Sequence, residues 1–232
     1  SIKYNFEYKY PELGRLFNLD HLHKYSAKMH NICNIVKESK GIILIYSQFI
    51  DGGAIPMALA LEEMGFTRYC SDNSIKPLLK NPAEPIDSLT MNTKSDDFNQ
   101  AKYIIVSGDK SYSPNNDADI KYLNTADNKD GKNVKVVIIS MAGSEGIDYK
   151  NIRQIHILEP WYNMNRIEQI KGRGIRSISH CLLPFEQRNC EIFLHSTTFD
   201  NNVEPADRYI YRVAESKSVN IGKITRIIKE NA

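Results

Sequence analysis

Between Ile138 and His180 a Gly/Ser/acid turn, an apolar run and an arginine-bearing segment follow one another closely. Gly143, Ser144 and Gly146 let backbone approach a phosphate or ribose, and Asp148 places a carboxylate at the end of a strand, where parallel sheets receive ligands. Further on come Gln169, Arg173 and Arg176, spaced i, i+4 and i+7. If 164–174 is helical, all three project from one face. The chemistry of such a set is that of a nucleotide cleft, in which guanidinium groups oppose phosphate charge.

The elements that must carry these residues are legible as apolar runs. IILIY (42–46) suits a strand buried on both faces, and KYIIV (102–106), NVKVVII (133–139), QIHIL (154–158) and EIFLH (191–195) read as further strands. Residues 66–69 begin another short one. Helical spacing of Tyr25, Met29, Ile32, Cys33 and Val36 predicts a helix closed by Gly41. Ile55, Ala58, Leu59, Leu61 and Met64 predict a core helix ended by Gly65, and 115–123 a short one. Strands separated by helix-length segments imply βαβ units, hence an α/β fold with a mostly parallel sheet and helices on both faces. Residues 71–100, with Pro77, Pro82 and Pro85, predict an irregular, partly mobile insertion. The tail, 204–229, predicts one or two helices broken near Asn220 and Gly222.

Specific segments in this order carry a family resemblance. QIKGRGIR (169–176) and SMAGSEGID (140–148) resemble motifs VI and V of superfamily 2 helicases and translocases, and IILIYSQF (42–49) resembles motif IV, all in the second RecA-like domain. The wording is most similar to helicase-like ATPases of nucleo-cytoplasmic large DNA viruses, including the poxvirus early-transcription-factor type, which share an SGD turn (here SGDKS at Ser107) and an AExK segment (here AESK at Ala214). EPWYN (159–163) also resembles the Swi/Snf-type double-strand DNA translocases.

The resemblance implies a division into a linker or strap (1–22), a RecA-like helicase C-terminal domain (23–200) and a C-terminal helical extension (201–232). It implies Arg173 and Arg176 as catalytic arginine fingers, and Gly146, Asp148 and Gln169 beside them in nucleotide binding. Strand-end loops at Ser47, Gln48, Ser107, Gly108 and Ser140 would contact nucleic acid through its phosphates. Glu145 is a weaker candidate, and Trp161 and Tyr162 stack on a base or sit in the core. ATP and Mg2+ are the implied cofactors, the metal ligands belonging to a first motor domain. The sequence contains no G-x-x-x-x-G-K-[ST] loop and no DExH/D box. The chain therefore reads as the second half of an ATP-dependent engine, inactive alone, and a chain that begins at Ser1 without a signal or transit pattern reads as a piece excised from a longer protein. The implied partners are DNA or RNA, the N-terminal RecA-like domain of the same protein and, for a viral member, the transcription machinery. A host cytoplasm or virion follows if the chain is viral, and otherwise an intracellular, reducing compartment. Two rivals stand beside this reading: a non-enzymatic nucleic-acid or protein platform derived from such a domain, and a Swi/Snf-like translocase.

Composition sets outer bounds. At 232 residues and 41% apolar content the chain can bury one α/β core, and no apolar run approaches a membrane span. Four cysteines without C-x-x-C pairing argue against zinc and predict free thiols. A net charge of +2 does not announce a nucleic-acid binder, although 208–229 concentrates six cations against a single anion, Glu215. That segment is read equally as a solvated helix face or a phosphate-facing one.

Overall fold

The computed structural model describes residues 5–72, 75–141, 143, 146–201 and 203–231. Six strands form one sheet: β1 (Ile42–Tyr46), β2 (Thr67–Arg68), β3 (Lys102–Val106), β4 (Val136–Ile139), β5 (Ile152–Ile157) and β6 (Glu191–Leu194). Their order is β2-β3-β4-β1-β5-β6 and every pairing is parallel. The strand at the centre is the first in sequence, and Leu44 sits in register with Val137 on one side and Ile155 on the other. All five of its residues are buried, as a strand covered on both faces requires.

Alternation along these strands divides the core. Ile43 and Ile45, with Tyr103, Ile105, Val136 and Ile138, face α1 (Leu19–Leu22), α2 (Ala27–Glu38) and α3 (Ile55–Glu63). Ile42, Leu44 and Tyr46, with Ile104, Val106, Val137 and Ile139, face α4 (Asn116–Leu123) and α5 (Met164–Gly174), through Ile120, Leu123 and Ile170. Ser26 caps α2, its Oγ accepting from the Met29 amide at 3.3 Å. A π-helical turn, Ile50–Ala54, leads into α3, and Gly65 follows it at φ +94, where a Cβ would collide with the Glu84 carbonyl.

α3 is more deeply embedded than one apolar stripe predicts, since Glu62 is fully buried and Glu63 nearly so. Glu62 accepts from the amides of Leu78 (2.8 Å) and Leu79 (2.7 Å) and from the Tyr103 hydroxyl (2.7 Å). Burial pushes its pKa up, and those hydrogen bonds oppose the shift. Glu63 receives Arg15 at 2.8 Å and the Tyr8 hydroxyl at 2.5 Å, which straps the N-terminal segment over this helix.

The described part of the 71–100 insertion contains no helix or strand beyond isolated bridges, as its prolines predict. It is packed nonetheless. Leu78, Leu79 and Ile86 join the core, and Asp87 accepts from the Leu89, Thr90 and Asn99 amides. The tail departs from expectation: α6 (Ala206–Glu230) is one unbroken helix of 25 residues, Gly222 included. A glycine costs a helix interior about 1 kcal/mol, too little to interrupt a helix already nucleated on both sides. Its first half meets the body of the domain, through Ala214, the Lys28–Asp207 ion pair at 2.9 Å and Lys217, whose ammonium lies 6.0 Å from the centre of the Tyr162 ring. From residue 215 to residue 231 every described residue is exposed.

Candidate nucleotide and nucleic-acid site

α5 delivers the arginines. It begins after β5 and runs back along the sheet, close enough that a Cβ on Gly174 would lie 3.2 Å from both Ile152 and Ile155. That close approach explains a glycine in the last turn. Gly172 faces open space and has no such reason.

The helix ends at Gly174, so Arg176 is placed by the chain reversal rather than by helical periodicity. Its Nε donates to the Gly172 carbonyl at 2.8 Å, and its Nη1 meets Asp148 Oδ1 at 2.5 Å. Arg173, on the helix, is half-buried; its Nε is buried and has no acceptor among the described residues. Arg173, Arg176, Asp148, Tyr149 and Lys150 border one cavity of about 340 Å³, closed from the far side by the turn that follows α5. In that turn Ile178 adopts φ +61, a strained value for a β-branched residue. Gln169 and Arg173, one turn apart on α5, share a face as expected, and Arg176 departs from it because it lies beyond the helix end; Gln169 is exposed, makes no side-chain hydrogen bond among the described residues and does not line this cavity.

Tyr149 locks the turn to the helix, a role the sequence did not disclose. Its amide donates to the Arg173 carbonyl (2.9 Å) and its hydroxyl to the Gly143 carbonyl (2.9 Å). Burial pushes this phenol far above its usual range, with Arg173 opposing the shift. Gly143 is forced by packing, because a Cβ there would lie 2.5 Å from the Val106 carbonyl. Gly146 adopts φ +69, and a Cβ built on it would meet nothing within 4 Å among the described residues, so backbone rather than crowding requires it. Ser144 and Glu145 lie outside the described residues.

The five expected nucleic-acid residues lie at the carboxyl edge of the sheet. Tyr46, Ile139 and Val106 are in register across β1, β4 and β3, so the residues that follow, Ser47, Ser140 and Ser107, form a row along that edge. All three are buried. Ser47 Oγ lies 2.9 Å from Glu159 Oε1, and Ser107 Oγ lies 2.8 Å from Ser113 Oγ. The Ser140 amide donates to the Val106 carbonyl at 3.0 Å. Gln48, whose amide donates to Glu159 Oε2 at 3.1 Å, is half-buried, and Gly108 is exposed. Gly108 borders a shallow depression of about 560 Å³ with Lys110 and the first turn of α4. Burial raises the Glu159 pKa against the pull of Ser47 and Gln48, and this carboxylate, absent from the sequence reading, organises the loop. Trp161 is half-buried beneath the Arg166 guanidinium, 4.1 Å from its ring, while Tyr162 is 48% exposed.

Among the described residues no three metal-ligating side chains cluster, all four cysteines are free, and no helix is long and apolar enough to cross a membrane.

An all-parallel sheet of this order with helices on both faces is a RecA-like α/β fold. The C-terminal part of the Fun30 ATPase domain shares it at a TM-score of 0.51 and 15% identity, over 82% of this chain and 46% of that one. The family model for the helicase conserved C-terminal domain matches residues 27–177, and the chain belongs to that family. Its relatives include a termination factor NPH-I homolog of African swine fever virus, 31% identical over 73% of this chain and 26% of that protein. Nucleoside triphosphatase I of Heliothis armigera entomopoxvirus is 28% identical over 91% of this chain and 27% of its own length. The chain thus spans about a quarter of the curated relatives it matches.

Proposed function

We propose that this chain is the second motor domain of a superfamily 2 ATP-dependent helicase or translocase, acting in a viral transcription system as the names of its relatives suggest. The observation that carries the proposal is the convergence of Arg173 and Arg176 on one cavity, with the Arg173 Nε–H buried and unpaired. A buried guanidinium N–H without an acceptor is costly, and a phosphate oxygen would satisfy it. Three cations, Lys150 included, border this cavity against one carboxylate, a balance that suits an anion.

In this reading ATP sits between this domain and a first motor domain that supplies the phosphate loop and the Mg2+ ligands. Arg173 and Arg176 stabilise the charge that spreads over the γ-phosphoryl oxygens in the transition state. Gly146 lets the turn approach the nucleotide, Asp148 holds Arg176 until phosphate displaces it, and Gln169 meets the nucleotide only when the two domains close. At the carboxyl edge, Gln48 and Gly108 would touch the nucleic-acid backbone, while Ser47, Ser107 and Ser140 shape the loops beneath. The chain alone would not turn over ATP.

The test is ATPase activity of the longer protein, with and without nucleic acid, comparing wild type with Arg173→Ala and Arg176→Ala. A loss of about a hundredfold or more with nucleotide binding retained supports the finger role. Unchanged turnover overturns it and favours a non-enzymatic platform.

A further inference from the structure

At the amino ends of β1, β4 and β5, opposite the serine row, lies a second cavity, of about 490 Å³. Lys40, Lys129, Lys135 and Arg153 line it, with Asp130 the one carboxylate among the lining residues and Leu89 and Leu183 as apolar walls. Among the described residues none of the four cations forms an ion pair. Four unpaired cations around one hollow repel one another, an arrangement that folding alone does not reward.

Two of them are also embedded. Lys135 is 1% exposed, and its ammonium donates to the carbonyls of Ser39 and Ser88, both at 3.0 Å, which leaves its third N–H without a partner. Burial holds this lysine down at about 8, with the Asp87 charge opposing. Arg153 spends Nη2 on Asn189 Oδ1 at 2.7 Å, while its Nε is buried and finds no acceptor. The Lys40 and Lys129 side chains have no hydrogen-bond partner among the described residues, so they are available to an incoming ligand.

We propose that this cavity is a binding site for a phosphate-bearing anion, held by Arg153 and Lys135 at its floor and by Lys40 and Lys129 at its rim. Guanidinium and ammonium groups in this arrangement supply several N–H donors to tetrahedral oxygens. The site is separate from the arginine cavity but adjoins it through one segment of chain, since consecutive residues Leu182 and Leu183 line the first and second cavities respectively. That segment is itself fixed to β5 by His180 Nε2, 2.6 Å from the Ile152 carbonyl. The anion has two possible sources, a phosphorylated small molecule or the backbone of a nucleic acid.

The experiment is calorimetric titration of the 232-residue chain with pyrophosphate at constant ionic strength, followed by competition with a short single-stranded oligothymidylate. The expected result is saturable binding that weakens about tenfold or more in Lys129→Met and in Arg153→Met, as for a lost charge-assisted hydrogen bond, and is retained in the Arg173→Ala, Arg176→Ala double variant. Lys129 makes no side-chain hydrogen bond or ion pair among the described residues that its replacement would break, so that variant tests the site even if Arg153→Met misfolds. Displacement of pyrophosphate by the oligonucleotide identifies backbone phosphate as the ligand; pyrophosphate binding that the oligonucleotide leaves intact identifies a small phosphorylated molecule. Absence of saturable binding, indifference to both methionine variants, or loss in the Arg173→Ala, Arg176→Ala variant would overturn the proposal.

Discussion

Arg176 meets Asp148 across the mouth of the arginine cavity at 2.5 Å, so the carboxylate that closes the glycine turn holds one of the two guanidinium groups proposed to meet phosphate. Both partners are about half exposed, 46% and 53%, and water screens the pair. Asp148→Asn is expected to change stability by less than about 1 kcal/mol in denaturant unfolding of this chain. A loss of several kcal/mol would mean that the pair is a structural keystone rather than a releasable latch.

Glu62 predicts the opposite scale. Glu62→Ala strips acceptors from two buried amides and the Tyr103 hydroxyl, and should cost about 3 kcal/mol or more by urea titration. Glu62→Gln keeps an acceptor and the shape, so it should lose roughly half as much. Equal losses would show that the charge matters more than the hydrogen bonds.

The buried pair His156 and His195 should make the fold sensitive to acid. The rings stack, and Nδ1 of His156 lies 2.9 Å from Nε2 of His195, so one nitrogen must keep its lone pair. Burial lowers His156 to about 3, the neighbouring ring adding to the shift, and lowers His195 to about 4, Lys28 adding to it. Because both folded values fall below that of an unfolded histidine, the unfolded chain takes up more protons, and stability present above about pH 6.5 is lost as pH falls. Thermal unfolding should show a loss of up to about 2 kcal/mol per ring between pH 7 and pH 5. His156→Phe should flatten that slope; an unaltered slope would assign the acid sensitivity elsewhere.

Tyr149→Phe removes one hydrogen bond and leaves the Gly143 carbonyl without it, an expected cost of about 1 to 2 kcal/mol. In the longer protein the same change should reduce ATP turnover, because the turn is no longer tied to α5. Full activity with reduced stability would confine Tyr149 to the core.

Much of the fold was legible because this sheet is buried on both faces. The apolar runs 42–46 and 102–106 coincide with β1 and β3, and 164–174 with α5, since hydrophobic content and strand or helix length agree there. The tail runs through Gly222 as one helix, because the local cost of a glycine is small against the helical residues on both sides of it. Residue types at the site were legible, but partners were not. Nothing in spacing shows that Asp148 reaches Arg176, that Glu159 reaches back to Ser47, or that Tyr149 bridges turn and helix, because these contacts depend on which strands become neighbours. The serine row has the same origin: it exists only because β3, β4 and β1 stand side by side, and its burial follows from that adjacency.

Beyond Ala214, the last buried residue of α6, the helix runs on unbroken to Glu230 with every residue exposed. At 1.5 Å per residue that free stretch is about 24 Å long, so each degree of rotation at its root swings the tip by about 0.4 Å. It is a pointer fixed to the domain, one that would convert a small tilt at the cleft into ångströms of travel at a distance.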